Sequence, residues 1–138
     1  MRDKPFVDTN VLVYTLRKDD PRAWIAEQLL SGGVVVGVQT LNELVHVCLR
    51  KLKMPWAETL KAVELVRVLC PSPVPVTMEI HEAALRVVRR FGFNIFDALL
   101  IAAAHEADCT TFYSEDMHDG QVIDGLTIRN PFRENRVQ

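Results

Sequence analysis

The sequence predicts an α/β fold in which helices cover the faces of a mainly parallel sheet. Short buried strands are indicated by four segments rich in β-branched or aromatic residues: 5–7, 34–38, 109–113 and 126–129. Helical patterns fill the chain between them, and strands joined through helices pair in parallel. In such sheets ligands bind beyond the carboxyl ends of the strands, so functional residues are expected at that edge.

The spacing of apolar residues predicts five helices: 23–30, 41–52, 56–69, 80–91 and 98–104. Pro55 directly precedes the third, as is common at helix starts. The segment 98–104 is apolar on all sides, so this helix is expected to be central and buried. Four aromatic side chains are expected in the core rather than as stacking platforms: Trp24, Trp56, Phe93 and Phe96.

Length and composition predict one globular domain over residues 1–138. Hydrophobic residues make up 49% of the chain and charged residues 25%, which excludes a disordered protein. The Pro-rich stretch at 71–75 fits a stiff connector within that domain, because the flanking pieces are small for separate cores. The net charge of −2 argues against nucleic-acid binding through bulk positive charge, and it leaves a local basic patch open.

Cysteine use and hydropathy predict a cytoplasmic protein with no membrane segment. The three cysteines, Cys48, Cys70 and Cys109, are odd in number and form no C-x-x-C pair, so a disulfide framework and a zinc ribbon are disfavoured. The first residues contain no apolar segment of the kind found in signal peptides. The longest apolar run, at 98–104, is far shorter than the ~20 residues that span a bilayer.

Four carboxylates are predicted to lie where strands end or helices begin: Asp8, Glu43, Asp97 and Asp116. Taken singly, each has an ordinary structural explanation, because acids cap helix N-termini and Asp is common in turns. Taken together, three of them follow strands whose ends lie along one edge of a parallel sheet. Asp97 joins them if the apolar helix starts beneath that edge.

Carboxylates gathered in this way repel one another, and a divalent cation relieves the repulsion. Mg²⁺ or Mn²⁺ suits oxygen ligands and needs only one or two direct carboxylates. Such an ion makes a bound water nucleophilic and stabilises charge on a phosphate. The pattern therefore indicates metal-dependent phosphodiester hydrolysis.

The segments that carry the acids also form an ordered set. They read FVDTNVLVY at 6–14, TLNEL at 40–44, FDALLIAAA at 96–104 and YSEDM at 113–117, followed by GLTIRNPF at 125–132. In this order they resemble the PIN-domain family, and within it the VapC-like toxin ribonucleases of type II toxin–antitoxin systems. The resemblance covers nearly the whole chain. It implies a three-layer α/β/α fold around a mainly parallel sheet of four to five strands.

The resemblance also implies a role for each acid in a ribonuclease that uses Mg²⁺ or Mn²⁺. Asp8 and Asp97 are the expected direct metal ligands, and Asp116 completes the site directly or through water. Glu43 is expected to orient or deprotonate the attacking water.

Further residues and partners follow from the same resemblance. Asn10 and Ser114 match positions that support the acids by hydrogen bonds. An RNA substrate, a homodimer and a cognate antitoxin that inserts a segment into the active-site groove are implied as partners.

Two questions stay open at this point. Asp119 lies three residues beyond Asp116, and Glu115 precedes it, so the fourth acid is assigned to Asp116 with Asp119 as a supporting residue or an alternative. A non-catalytic PIN-like module that binds RNA or protein is the alternative function. Three basic groups, at 50–53, 86–90 and 129–136, fit ordinary helix ends or a solvated tail, and could guide RNA if one flanks the acids.

Overall fold

The computed structural model describes residues 3–133. Within that range the strands are β1 (Phe6–Val7), β2 (Thr111–Tyr113), β3 (Val122–Ile123) and β4 (Leu126–Arg129). The helices are α1 (Thr9–Tyr14), α2 (Arg22–Ser31), α3 (Val38–Arg50), α4 (Trp56–Leu69), α5 (Met78–Phe91) and α6 (Ile95–Glu106). The Arg136 end of the basic tail lies outside the described residues.

The four strands form one sheet in the order β1-β2-β4-β3. The pairs β1–β2 and β2–β4 are parallel, and β3 pairs antiparallel with β4 at the edge. Phe6 lies opposite Phe112, and their rings stack with centroids 5.3 Å apart. The strand connections through helices explain the parallel pairing, as the sequence predicted.

Helices cover both faces of this sheet. Successive residues of β1 point to opposite faces, so Phe6 joins the apolar cluster that includes α5 and α6, and Val7 joins the cluster that includes α1 to α4. Every residue from Ala98 to Ala104 is buried, as expected of an all-apolar helix. The predicted three-layer α/β/α fold is confirmed.

The predicted strand at 34–38 was wrong in part. Val35 makes a parallel bridge to Phe6, and its N–H donates to the Pro5 carbonyl at 2.8 Å, but the segment forms no extended strand. Val38 already begins α3, because Gly37 and Thr40 form the helix start. The short elements α1 and β3 were not predicted, since six and two residues are too few to show a period.

The expected burial of the aromatic residues was also wrong for three of the four. Trp24, Trp56 and Phe96 expose 65%, 61% and 59% of their surface. Only Phe93 packs partly buried against the core. Among residues 3–133, the helices are all too short or too polar to cross a bilayer.

Candidate active site

Asp8 lies at the carboxyl end of β1 and caps the N-terminus of α1. Its Oδ1 accepts a hydrogen bond from the Thr9 N–H at 2.7 Å, and its Oδ2 accepts one from Ser114 Oγ at 2.8 Å. Its own N–H donates to the carbonyl of Tyr113 on the neighbouring strand. The side chain is therefore held rigidly in a buried position where the sheet ends.

Glu43 reaches the same place from α3. Its Oε1 accepts a hydrogen bond from Thr9 Oγ1 at 2.9 Å, and its Oε2 accepts one from Gln39 Nε2 at 3.0 Å. Gln39 lies one turn earlier on the same helix, so the two side chains are neighbours on its surface. These bonds orient the carboxylate without neutralising its charge, because both donors are uncharged.

Asp97 lies in the first turn of α6, which follows the left-handed Gly92 (φ +78°) at the end of α5. Asn94 caps the helix by accepting from the Asp97 N–H at 2.9 Å. The amide of Asn94 also donates to Asp97 Oδ2 at 3.0 Å. This reciprocal pair fixes the carboxylate at the helix start, where the helix dipole favours negative charge.

Asp116 lies in the loop after β2, where Ser114 connects it to Asp8 and Asn10 holds it against α1. Buried Ser114, whose hydroxyl donates to Asp8, also accepts from the Asp116 N–H at 3.2 Å. Asn10 donates to Asp116 Oδ2 at 3.1 Å and accepts from the Glu115 N–H at 3.3 Å. The two residues predicted to support the acids thus hydrogen-bond to them.

The same loop is anchored on its other side by a group that the sequence analysis missed. Tyr14 Oη donates to Glu115 at 2.6 Å, and Arg22 bridges Glu115 and Asp20 at 3.2 and 2.9 Å. The guanidinium of Arg22 also lies 4.5 Å from the centroid of the Tyr14 ring. Contacts across about a hundred residues of chain leave no local signal in a sequence.

The four predicted acids line one cleft of about 470 Å³, together with Asn10, Tyr14, Glu115 and residues of α1 and α3. Asp119 lies apart from that lining. Its carboxylate accepts from the Asn130 N–H at 2.8 Å and faces Arg133 at 3.4 Å. The geometry thus brings Asp116, and not Asp119, to the other acids. Their catalytic roles stay predictions.

Burial and mutual repulsion perturb two of the acids. Desolvation raises the pKa of Asp8 from its ordinary 3.8 to about 7, opposed by the bonds from Ser114 and Thr9 and reinforced by the charges of Asp97 and Glu43. Desolvation also raises the pKa of Asp97; its bond to Asn94 opposes this shift, and the charge of Asp116 adds to it. Carboxylates with raised pKa in a cleft are candidates for a functional site.

The donor set fits a hard divalent cation that keeps much of its water. Carboxylate oxygens are the ligands that Mg²⁺ and Mn²⁺ take, and one or two direct contacts suffice for Mg²⁺. Within residues 3–133 no three His, Cys, Asp or Glu side chains are arranged to hold one ion between them. A site with Asp8, Asp97 and Asp116 all as direct ligands is therefore not preassembled, and the ligand set stays a prediction.

The sequence and the fold were compared with those of known proteins. A family model described as PIN domain matches residues 6–118. The sequence matches no curated protein. The fold is similar to a toxin–antitoxin complex from Klebsiella pneumoniae, with a TM-score of 0.68, 18% identity, and 93% of this chain and 98% of that chain covered.

Two further solved structures are similar. One is VapBC2 from Rickettsia felis bound to a DNA fragment from its promoter, with a TM-score of 0.66, 14% identity and coverage of 91% of this chain and 96% of that chain. The other is VapC20 from Mycobacterium tuberculosis, described as a toxin that cleaves the sarcin–ricin loop, with a TM-score of 0.61, 18% identity and coverage of 79% and 87%. At these identities the likeness establishes a shared fold.

Proposed function

Since the chain belongs to the PIN-domain family, we propose that it is an endoribonuclease that uses Mg²⁺ or Mn²⁺ to hydrolyse RNA phosphodiester bonds, and that it is the toxin of a type II toxin–antitoxin pair. One observation carries the proposal. Four carboxylates from separate segments line one cleft, and within residues 3–133 none of the four is in an ion pair. Such a cleft is a strong candidate for a divalent cation.

Each acid has a role that its contacts support. Asp8 and Asp97 have raised pKa values in the absence of a cation, and an adjacent cation would stabilise their charged forms, which supports their assignment as direct ligands. Asp116 is held by Asn10 and would bind directly or through water. When bound, the ion supplies charge stabilisation at the phosphate and lowers the pKa of a bound water. Glu43, oriented by two neutral donors, is the group that would orient or deprotonate the attacking water.

An RNA substrate is supported by the other end of the cleft. Residues about four apart line it on both helices: Thr9, Val13 and Arg17 from the α1 side, and Glu43, Val47 and Lys51 from the α3 side. Lys51 lies eight residues after Glu43, about 12 Å along a helix. Arg17 and Lys51 are exposed, and neither forms an ion pair within the described range. They can therefore attract a phosphate beyond the one being cleaved.

Part of one predicted basic group lines the same cleft as the acids. Lys51 belongs to the group at 50–53, and its position just after α3 also has an ordinary explanation in the helix dipole. Its place in the lining of the cleft favours a role in guiding RNA.

The alternative function, a PIN-like module that binds RNA or protein without cleaving, is opposed by the complete set of acids. A binding module gains nothing from burying an unpaired carboxylate, which costs free energy of folding. Asp8 is 6% exposed and has no cationic partner among residues 3–133.

An antitoxin partner and a homodimer are part of the proposal. Two of the similar structures contain toxin–antitoxin pairs. The surface of α4 exposes Trp56, Leu65, Val68 and Leu69, and apolar surface of this extent is typical of protein interfaces. Light scattering of the purified protein tests the dimer. Co-purification with the product of an adjacent antitoxin-like gene tests the antitoxin.

The experiment that tests the activity compares two acids of the cleft with one acid outside it. Purified protein with Mg²⁺ or Mn²⁺ is expected to cut RNA, and EDTA is expected to stop it. Asp97→Asn and Asp116→Asn are expected to reduce cutting to the level without protein, whereas Asp119→Asn keeps it, since Asp119 lies outside the cleft. Equal cutting by all these variants, with contaminating nucleases excluded by a mock purification, would refute the proposal.

A further inference from the structure

Beside the acidic cleft lies a second cavity of about 550 Å³ that shares Glu43, His46 and Asp97 with it. The other lining residues are Gln39, Asn42, Asn94 and Phe96. A group that occupies this cavity is therefore adjacent to the carboxylates that the proposed function assigns to hydrolysis. Its walls combine the phenyl ring of Phe96 and the imidazole of His46 with side-chain amides and two carboxylates.

Phe96 is exposed, although the sequence predicted it to lie in the core. It is the second residue of α6, directly before Asp97, and 59% of its surface is exposed. It belongs to neither apolar cluster, whereas every residue from Ala98 to Ala104 in the same helix is buried. The fold thus gains little from an aromatic ring at this position. Exposed aromatic rings beside a polar cleft serve as stacking surfaces for nucleobases.

Asn42 faces the same cavity from α3. It is exposed and its side-chain amide makes no hydrogen bond among residues 3–133, whereas the amides of Gln39 and Asn94 hold Glu43 and Asp97. An amide has both a donor and an acceptor, so it can bond to the edge of a planar base. An apolar side chain of a protein partner would leave the Asn42 amide without a hydrogen-bond partner, at a cost in free energy.

We propose that this cavity is a nucleobase subsite, in which Phe96 stacks against one base of a single-stranded RNA and Asn42 bonds to the edge of that base. The inference rests on the proposed function, because it concerns the nucleotide next to the scissile phosphate. It adds a means of choosing where RNA is cut: the stacked base is held beside Asp97, and its identity is read by Asn42.

The test measures RNA binding in the Asp8→Asn background, where cleavage is expected to be blocked and every residue that lines the cavity is kept. Fluorescence anisotropy gives Kd for a fluorescein-labelled 8-nucleotide RNA and for a series in which each position in turn lacks its base. Phe96→Ala is expected to weaken binding to the intact RNA at least about fivefold, the lower end for loss of one stacked base. Phe96→Trp is expected to retain binding. Trp24→Ala, which removes a similarly exposed aromatic from α2, is the matched control and is expected to leave Kd unchanged.

The RNA series distinguishes stacking from a general effect. The Phe96→Ala defect is expected to vanish for the RNA that lacks one particular base, and Asn42→Ala is expected to change the preference among the four bases at that position. A Kd for Phe96→Ala that matches that of Trp24→Ala, or an equal defect on every RNA of the series, overturns the subsite. So does a Phe96→Ala variant that loses dimer or antitoxin binding and keeps its RNA affinity.

Failure of the subsite is separable from failure of the proposed function. Wild-type protein that cuts RNA in an Asp97-dependent way, with no specific effect of Phe96→Ala, refutes the subsite alone. Wild-type protein that neither binds nor cuts RNA refutes both.

Discussion

The molecule contains two neighbouring groups of carboxylates. Within the described part of the chain, one group is paired with a cationic side chain, and the other is not. Asp20 and Glu115 are bridged by Arg22, and the hydrogen bonds from Arg22 hold the pKa of Asp20 below its ordinary value. Asp8 and Asp97 have no cationic partner within residues 3–133, and desolvation raises the pKa of both. The paired group holds the loop after β2 against α1 and α2. The unpaired group has no neutralising cation within the described residues, so an added cation would stabilise its charged form.

This difference separates acids that hold the structure from acids kept for function. Paired carboxylates reach their lowest free energy within the protein alone, whereas unpaired ones lower the stability of the ligand-free fold. Stability lost in this way at a cleft is common at sites that bind and catalyse. Asp8 and Asp97 should therefore respond strongly to pH and to metal, and Asp20 should respond weakly to metal.

The largest expected effect is the pH dependence of stability without metal. Asp8 titrates near 3.8 when unfolded and near 7 when folded, so folding is weakened as pH rises from about 4 to 7, by about 4 kcal/mol at 1.36 kcal/mol per pKa unit. Asp8→Asn removes this loss. Urea unfolding in EDTA is expected to show a difference in unfolding free energy between Asp8→Asn and wild type that grows across this range. A difference independent of pH contradicts the pKa shift.

A smaller effect is expected from the hydroxyl that fixes the loop. Tyr14→Phe removes the 2.6 Å bond to Glu115, which precedes Asp116. A hydrogen bond to a charged group contributes about 1.5–3 kcal/mol, part of which is regained here because Arg22 still holds Glu115. We expect Mn²⁺ affinity to fall several-fold in calorimetric titrations, since Asp116 loses its fixed position. Tyr113→Phe is the control, and equal affinity for both variants would show that Tyr14 does not position the loop.

The third prediction concerns the basic end of the cleft. Lys51→Gln is expected to lower the slope of log affinity against log salt by about 0.7, the value for one phosphate contact with a single strand. Lys61→Gln removes the same charge from the exposed face of α4 and is expected to leave the slope unchanged. Identical slopes for the two variants would remove Lys51 from the RNA path.

The smallest effect is expected from the paired acids. The pKa of Asp20 is lowered, so its contribution is present above its ordinary pKa and is lost as pH falls through the folded value. Asp20→Asn is expected to leave RNA cleavage and metal affinity unchanged at neutral pH. A loss of cleavage comparable to that of Asp97→Asn would erase the distinction between the two groups.

Much of the fold could be predicted because its signals are local. The bounds 56–69 of α4 and 126–129 of β4 were predicted correctly, since Pro55 marks a helix start and short β-branched runs mark strands. The segment 34–38 was misassigned because a short apolar run before Thr40 has the same sequence pattern whether it pairs as a strand or leads into a helix. Phe96 was assigned to the core because its apolar character is visible in the sequence and its exposure is not.

The acids of the site and their supports Asn10 and Ser114 could be predicted, whereas the anchoring of the loop by Tyr14 could not. The strand ends located Asp8 and Asp116, but the choice between Asp116 and Asp119 depends on bonds from Asn10 and Asn130, which are set by the folded loop. The contact of Tyr14 with Glu115 spans 101 residues and has no signature in a single sequence. Arg17 lies four residues after Val13, a spacing that could have placed it beside the cleft.

The most direct test of the central claim is a calorimetric titration of Mn²⁺ into the wild type, Asp97→Asn and Asp119→Asn at neutral pH. Metal affinity is predicted to fall at least about tenfold in Asp97→Asn, as expected when a ligand or its close support is lost. Asp119→Asn is predicted to bind like the wild type, because Arg133 and Asn130 hold Asp119 away from the cleft. Equal affinity in all three proteins, or no binding by the wild type, would contradict the claim that the unpaired acids are kept for a divalent cation.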